Sequence, residues 1–288
     1  MLCTLGDLIE DVVVWLREPT NHASDTASRI DRTRGGSAAN VAYFAAAGGI
    51  PSRFVGQVGA DHLGDHLVES LRHAGVDVVA RHGGRTGCVV VIVQPDGERT
   101  MLTDRGSAVD LDQVESSVLD DVRTLHVPMY SLATGRLATT ARRLIALAHE
   151  RRITVSIDAS SVSVLESYGV DAALELFREL APTVLLCNDD EARTLGLTSA
   201  PQGIDTVIVK RGAQPVQVMD SSGVREIKLA PIPRVVDTTG AGDAFAAGFL
   251  GALSSGRTTH EAVVAGHALA IRALGSAGAT LDSMEARP

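Results

Sequence analysis

The sequence predicts an α/β protein of three layers, with a mostly parallel central sheet between helices and a small β-sheet lid. Short apolar strands alternate with amphipathic helical stretches along most of the chain. The alternation breaks once, between Val76 and Thr103, where β-rich pieces follow one another. A content of 45% hydrophobic and 21% charged residues fits a globular chain with a large core. The 288 residues read as one domain, 1–288, with lid segments near 12–34 and 80–103.

Taken in order, Leu2–Leu5 and Val12–Leu16 have the length and apolar character of strands. The polar stretch from Arg17 to Arg34, with Pro19 and Asn21, reads as a loop or excursion. Ala38–Ala47 suits a buried helix and Ser52–Val58 a strand. His62–Ala74 reads as a helix with Leu63, Leu67 and Leu71 on one face. Gly87–Val93 and Arg99–Leu102 read as strands joined at Pro95-Asp96-Gly97, a hairpin turn signal, and are expected to meet the 12–34 segment in the lid.

The βα rhythm then resumes. Thr124–Val127 and Ile153–Ile157 are strand-like, and the helix Gly135–Arg151 between them carries Leu137, Ala141, Leu144 and Ala148 on one stripe. Val170–Leu180 (helix), Thr183–Cys187 (strand), Asp189–Leu195 (helix) and Thr206–Val209 (strand) continue it, as a parallel sheet covered on both faces requires. Pro215–Asp220 and Arg225–Leu229 read as an antiparallel edge turning at Ser221-Ser222-Gly223, before the closing helices Gly242–Ser254 and Thr259–Leu274.

Composition excludes several classes of function. The formal net charge is −9 with no basic block, which argues against a nucleic-acid partner. No apolar run reaches the roughly 20 residues that span a bilayer, so no membrane partner is expected. Asp7, Glu10 and Asp11 interrupt the N-terminal apolar stretch, which lacks a basic leader and does not read as a signal peptide. Three widely spaced cysteines, Cys3, Cys88 and Cys187, suit reduced thiols in a cytoplasmic protein.

The densest chemistry lies in Asp237-Thr238-Thr239-Gly240-Ala241-Gly242-Asp243, just before an apolar helix. Small residues at Gly240, Ala241 and Gly242 let main-chain N–H groups turn inward at a helix N-terminus, which makes an anion hole. Asp243 at the helix start has two readings, a cap on orphan N–H groups or a base beside the anion hole. Two Asp, two Thr and two Gly in seven residues exceed what a cap requires.

DTTGAGDAFAAGFL resembles the C-terminal signature of the ribokinase-like, or PfkB, carbohydrate kinases. The resemblance implies ATP-dependent transfer of the γ-phosphoryl group to a hydroxyl, with Asp243 as the base and Gly240, Ala241 and Gly242 cradling the phosphate. GGSAANVA and VGQVGADHLGDHLVESLRHAGVDV are similar to the family's N-terminal signature. Glycines there admit close backbone approach and Asn40 offers a donor and an acceptor, although a tight turn before a packed helix would use the same residues. In the family Gly35, Gly36 and Asn40 would hold the sugar, and Asp11, in GDLIED, would bind its hydroxyls.

The resemblance covers nearly the whole chain. Asn188-Asp189-Asp190-Glu191 resembles the family's Asn-x-x-Glu motif, in which Asn188 lies near the nucleotide and Glu191 organises Mg2+ through water. Lys210, Arg211 and Gly212 match the nucleotide-binding turn, with Pro215 where the family often has Gly. Asp237 and Thr239 match ligands of a monovalent cation, K+, in some members, the remaining ligands coming from Leu274–Ala279. A homodimer through the lid is also implied.

Rival folds fail on spacing. A P-loop needs Gly-Lys, and neither Lys210 nor Lys228 follows a glycine. Gly240-Ala241-Gly242 lies near the C-terminus, not after a first strand as in a dinucleotide-binding fold. Two alternatives remain within the family, a nucleoside kinase and a catalytically silent ligand-binding member. Trp15 and Tyr130 offer stacking faces but are read first as packing residues, and Arg105 first as an exposed loop residue, with pairing to an acidic substrate as its functional alternative.

Overall fold

The computed structural model describes residues 1–281 apart from Gly97, Arg234 and Ala277, so the glycine of the expected hairpin turn lies outside the described residues. The first half contains β1 (Leu2–Leu5), β2 (Ile9–Leu16), β3 (Ser28–Gly35), α1 (Ser37–Ala47), β4 (Ser52–Val58), α2 (His62–His73), β5 (Asp77–His82), β6 (Thr86–Val93) and β7 (Arg99–Gly106). The second contains β8 (Thr124–Pro128), α3 (Tyr130–Ala133), α4 (Gly135–Glu150), β9 (Thr154–Asp158), α5 (Val162–Tyr168), α6 (Val170–Leu180), β10 (Val184–Asn188) and α7 (Asp189–Thr194). The chain continues through β11 (Thr206–Lys210), β12 (Val216–Asp220), β13 (Gly223–Ile227), α8 (Ala241–Ser254) and α9 (Thr259–Leu274).

Among the described residues nine strands form one sheet in the order β13-β12-β11-β10-β9-β8-β1-β4-β5. Only the pairings of β12, with β11 and with β13, are antiparallel. The sheet is apolar on both faces, which gives its strands continuous buried runs such as Val184–Cys187. Leu185 and Val207 point toward the α4 and α6 side, packing with Leu144 and Phe177. Leu186 and Ile208 point the other way, into a core with Phe44 of α1, Leu67 of α2, Phe249 of α8 and Val263 of α9. This alternation produces the three layers.

A second sheet, in the order β3-β2-β6-β7, joins the two N-terminal β-rich regions through the parallel pair β2 and β6. Two boundaries differ from the sequence reading. The polar excursion contains a true strand, β3, whose Ser-Arg-Ile-Asp-Arg-Thr-Arg-Gly run has no apolar stripe because it is an edge strand with much of its surface in water. Residues 80–82, assigned to the lid, belong instead to β5 at the edge of the large sheet, paired with β4.

In an open parallel sheet, ligand sites lie beyond the carboxyl ends of the strands, where the strand order reverses. Here β1 is that point, flanked by β4 and β8. Asp7 follows β1, Tyr130 follows β8, and β9, β10 and β11 end at Asp158, Asn188 and Lys210.

Candidate active site

Gly240 precedes α8 at φ 73°, and a Cβ there would lie 2.9 Å from the Ala279 Cβ and 3.0 Å from the Phe44 ring. Only glycine meets both constraints. The turn directs the first N–H groups of α8 outward. Ala241 N–H folds back onto the Thr238 carbonyl at 3.3 Å, so of the three expected cradle residues it is the least free. An added Cβ on Gly242 would lie 3.5 Å from Lys210 Nζ, which puts an ammonium beside the helix N-terminus. Dipole and cation both favour an anion there.

Asp243, in the first turn of α8, is gripped from α1. Ser37 Oγ donates to its Oδ1 at 2.7 Å and Asn40 Nδ2 to its Oδ2 at 3.1 Å. Burial pushes its carboxyl up to about 6; Ser37, Asn40 and Lys210 pull against that rise and Asp158 adds to it. A carboxylate so tuned can hold or release a proton near neutral pH. Asn40, expected on the sugar, also bonds protein groups: besides its contact with Asp243, its Oδ1 accepts from Arg34 Nε and Nη2, both at 3.3 Å. Arg34 also donates to the Ala279 carbonyl at 2.6 Å and stands 3.9 Å over the Tyr43 ring.

The paired glycines have steric reasons. Gly36 has φ 98°, and a Cβ there would fall 2.2 Å from the Asp7 carbonyl oxygen. At Gly35 a Cβ would fall 2.0 Å from Asp11 Oδ1, so the glycine makes room for that carboxylate. Burial pushes Asp11 up to about 6, with Arg34 opposing and Glu10 reinforcing. Arg105 is not the exposed loop residue expected. It lies in β7 and forms a two-pronged ion pair with Asp7, both bonds 2.7 Å, because a half-buried guanidinium needs a carboxylate.

Lys210 Nζ donates to Asp158 Oδ2 at 2.7 Å. Burial alone would lower the Lys210 pKa, but Asp158, Glu191 and Asp243 outweigh it and hold the ammonium above its ordinary value. Asn188 and Glu191 form a reciprocal cap on α7: Glu191 N–H donates to Asn188 Oδ1, while the Asn188 N–H and Nδ2 donate to Glu191, each at 2.8 Å. Burial, reinforced by Asp158, pushes Glu191 up to about 7. Gly212, at φ 58° with open space around it, turns the chain after β11. Asp158 and Ser37 were missed from the sequence. Asp158 ends a strand just as the residues singled out do, and that position was its available signal.

Asp237 and Thr239 come together, since Thr239 N–H and Oγ1 donate to Asp237 Oδ1 at 2.9 and 2.8 Å. Gly278 N–H donates to Asp237 Oδ2 at 3.0 Å, and Arg99 of β7 stands 3.7 Å from Oδ1.

A cleft of about 810 Å3 runs between the small sheet and this edge. Asp7, Asp11, Gly36, Ser37, Tyr130 and Thr239 line its inner end, and it reaches Trp15 at the other. Both aromatics therefore face the cleft. Trp15 Nε1 donates to Asp31 at 3.0 Å, and the Arg29 guanidinium lies 5.2 Å from its ring centre. Among the described residues no cluster of three or more His, Cys, Asp or Glu forms a metal site, and no helix is long and apolar enough to cross a membrane.

Residues 1–287 match the model of the pfkB family of carbohydrate kinases. A sugar kinase of Archaeoglobus fulgidus is 29% identical over 80% of this chain and 94% of its own. An ATP-dependent ribose-1-phosphate kinase of Halopiger xanaduensis is 30% identical over 82% of this chain and 77% of its own. The crystal structure of an adenosine kinase from Sinorhizobium meliloti superposes with a TM-score of 0.85 at 25% identity, covering 98% of this chain and 96% of that one.

Proposed function

We propose, from the premise that this chain belongs to the pfkB family of carbohydrate kinases, that Asp243 is the base of an ATP-dependent phosphotransferase acting on a hydroxyl of a sugar or nucleoside. The observation that carries the assignment is the grip of Ser37 and Asn40 on a half-buried carboxylate at an anion-binding helix end. The base and the cradle are both intact, which counts against a silent, ligand-binding relative.

In the proposed reaction the acceptor hydroxyl enters through the cleft, oriented by Asp11 and by the backbone at Gly35 and Gly36. Asp243 takes its proton as the oxygen attacks the γ-phosphorus in line. The N–H groups of Gly242 and Asp243, the dipole of α8 and Lys210 offset the charge that builds on the phosphoryl oxygens. Asn188 and the turn at Lys210–Gly212 lie toward the nucleotide.

Mg2+ fits the donor set: Glu191 and Asp158 are acidic neighbours, and each Glu191 oxygen keeps a lone pair beyond its bond to Asn188. Bound through water by Glu191, the ion would neutralise charge on the ATP phosphates. K+ at Asp237 and Thr239 fits poorly, because N–H donors and the Arg99 guanidinium face that carboxylate.

Ile30 and Leu102, 57% and 56% exposed, lie on the face of the small sheet opposite Val13 and Val91. That apolar surface supports a homodimer through the lid, and light scattering that gives a monomer would exclude it. The free thiols of Cys3, Cys88 and Cys187 support a cytoplasmic location.

The test of activity is ADP release from ATP with a panel of sugars, sugar acids and nucleosides. Release that depends on an alcohol acceptor is expected. Release indifferent to every acceptor, or none at all, would remove the kinase assignment.

A further inference from the structure

Resting on that kinase reading, we propose that the acceptor is an uncharged nucleoside, not a free sugar, a sugar acid or a sugar phosphate. The cleft has two unlike halves. Around Asp11, Gly36 and Ser37 it is polar and adjoins Asp243. Beyond Asp11 its wall turns apolar, because alternate residues of a strand face the same way. Asp11, Val13 and Trp15 follow one another along β2, with Val89, Val91 and Val93 beside them on β6. Met101, opposite Val91 on β7, extends the row and is 63% exposed.

At the rise of a strand, Trp15 lies about 13 Å along the chain from Asp11. A monosaccharide held by its hydroxyls at Asp11 ends short of Trp15 and leaves the outer, apolar end of the cleft unfilled. A nucleoside fills both halves, its sugar at Asp11 and its flat base against the valines.

Charge separates the remaining candidates. Among the described residues each arginine lining the cleft already has a carboxylate: Arg29 with Asp31 at 3.1 Å, Arg32 with Glu10 at 3.1 Å, Arg99 with Asp237 at 3.7 Å, and Arg105 with Asp7 at 2.7 Å. A phosphate or carboxylate on the acceptor would have to compete with these acids, at greatest cost for the buried pair of Arg105 and Asp7. It would also approach Asp11, which among the described residues has no ion pair of its own. A neutral acceptor meets neither obstacle.

In the reaction the nucleoside oxygen bonds to the γ-phosphorus and the bond from that phosphorus to the β–γ bridging oxygen breaks. ADP leaves with that electron pair, and the hydroxyl proton passes to Asp243.

Trp15 is the only tryptophan, so it reports on the apolar half directly. The intact protein would be titrated without ATP by adenosine, guanosine, cytidine, uridine, ribose, fructose, ribose 1-phosphate and gluconate, following Trp15 emission. ADP release with each compound would then be measured. A saturable emission change with at least one nucleoside is expected, with ADP release at least about tenfold faster than with any of the other four. Val13→Asp should raise the half-saturating nucleoside concentration at least about tenfold by placing a charge against the base. The isosteric Val13→Thr should have a smaller effect, with ATP affinity and circular dichroism checking the fold of both.

Turnover of ribose, fructose, gluconate or ribose 1-phosphate with no nucleoside binding would overturn the inference and leave the kinase reading standing. If no compound released ADP, the kinase reading would fall instead, and the emission titration would still decide which ligand the cleft takes: a saturable nucleoside response supports the inference, and its absence overturns it.

Discussion

Burial pushes both Asp243 and Asp11 up to about 6, but the two carboxylates sit in regions built on different terms. Asp243 opens an apolar helix of the main body and is fixed by two donors from α1. Asp11 stands mid-strand in the small sheet, and among the described residues its side chain makes no hydrogen bond. One carboxylate is held for chemistry; the other is left open for a ligand. The large sheet covers its groups on both faces, whereas the small sheet keeps one wall of polar and apolar side chains turned to a cleft. Substitutions should therefore separate into losses of rate and losses of acceptor binding.

The largest separation is expected from Asp243→Asn. An amide keeps the shape but cannot take the hydroxyl proton, so turnover should fall about 10²–10⁴-fold with ATP affinity unchanged or tighter. The same substitution should stabilise the protein. With its folded pKa raised above the unfolded value of 3.8, the half-buried carboxylate binds a proton more readily folded than unfolded. Its contribution therefore falls as pH rises from about 4 to 6 and is unfavourable at neutral pH. Thermal melts should place the Asn variant above wild type at pH 8 and closer to it at pH 4. A variant turning over within about threefold of wild type would move the base elsewhere.

Next comes Lys210→Met, which leaves Asp158 buried without its cation. Breaking such a pair costs about 3–5 kcal/mol, and replacing both partners by apolar residues recovers much of the loss. Denaturant melts of Lys210→Met and of a Lys210→Met, Asp158→Leu double variant test this. Equal losses in the two would mean that the pair is not what holds this edge together.

Asp11→Ala should act on the acceptor alone. A carboxylate bonded to hydroxyls contributes about 1.5–3 kcal/mol, so acceptor affinity should fall accordingly while ATP affinity holds. Calorimetric losses equal for acceptor and ATP would erase the distinction between the two regions.

The same division decided what could be read from the sequence. Val184–Cys187 and the stripe of α4 announced themselves because burial on a sheet or a helix face imposes a period. β3 did not, since an edge strand facing water has no such period to display. Among site residues, Asp243 and Gly240 were legible because a turn, a helix start and an acid coincide within seven residues. The pairing of Lys210 with Asp158 was not, because the two lie 52 positions apart and meet only when β9, β10 and β11 lie side by side. Asn40 was recognised as a site residue, but its contact with Asp243 was not legible, because the two lie 203 positions apart.

The smallest expected effect tests the grip itself. Ser37 Oγ donates to the ionised form of Asp243, and a bond that favours the ionised form lowers the pKa. Wild-type activity should fall on an acid limb centred near pH 6, where the base becomes protonated. In Ser37→Ala the carboxylate loses one donor, so its pKa rises and the limb moves to higher pH. Asn40 remains and the site is partly open to water, so a shift of about half a unit to one unit is expected. Well above the limb, at pH 8 to 9, the base is ionised in both proteins and rates should agree within about threefold. The deficit of the variant should thus shrink as pH rises. A deficit of the same size at every pH would mean that Ser37 sets the position of the carboxylate and not its charge, and the contrast with Asp11 would then rest on geometry alone.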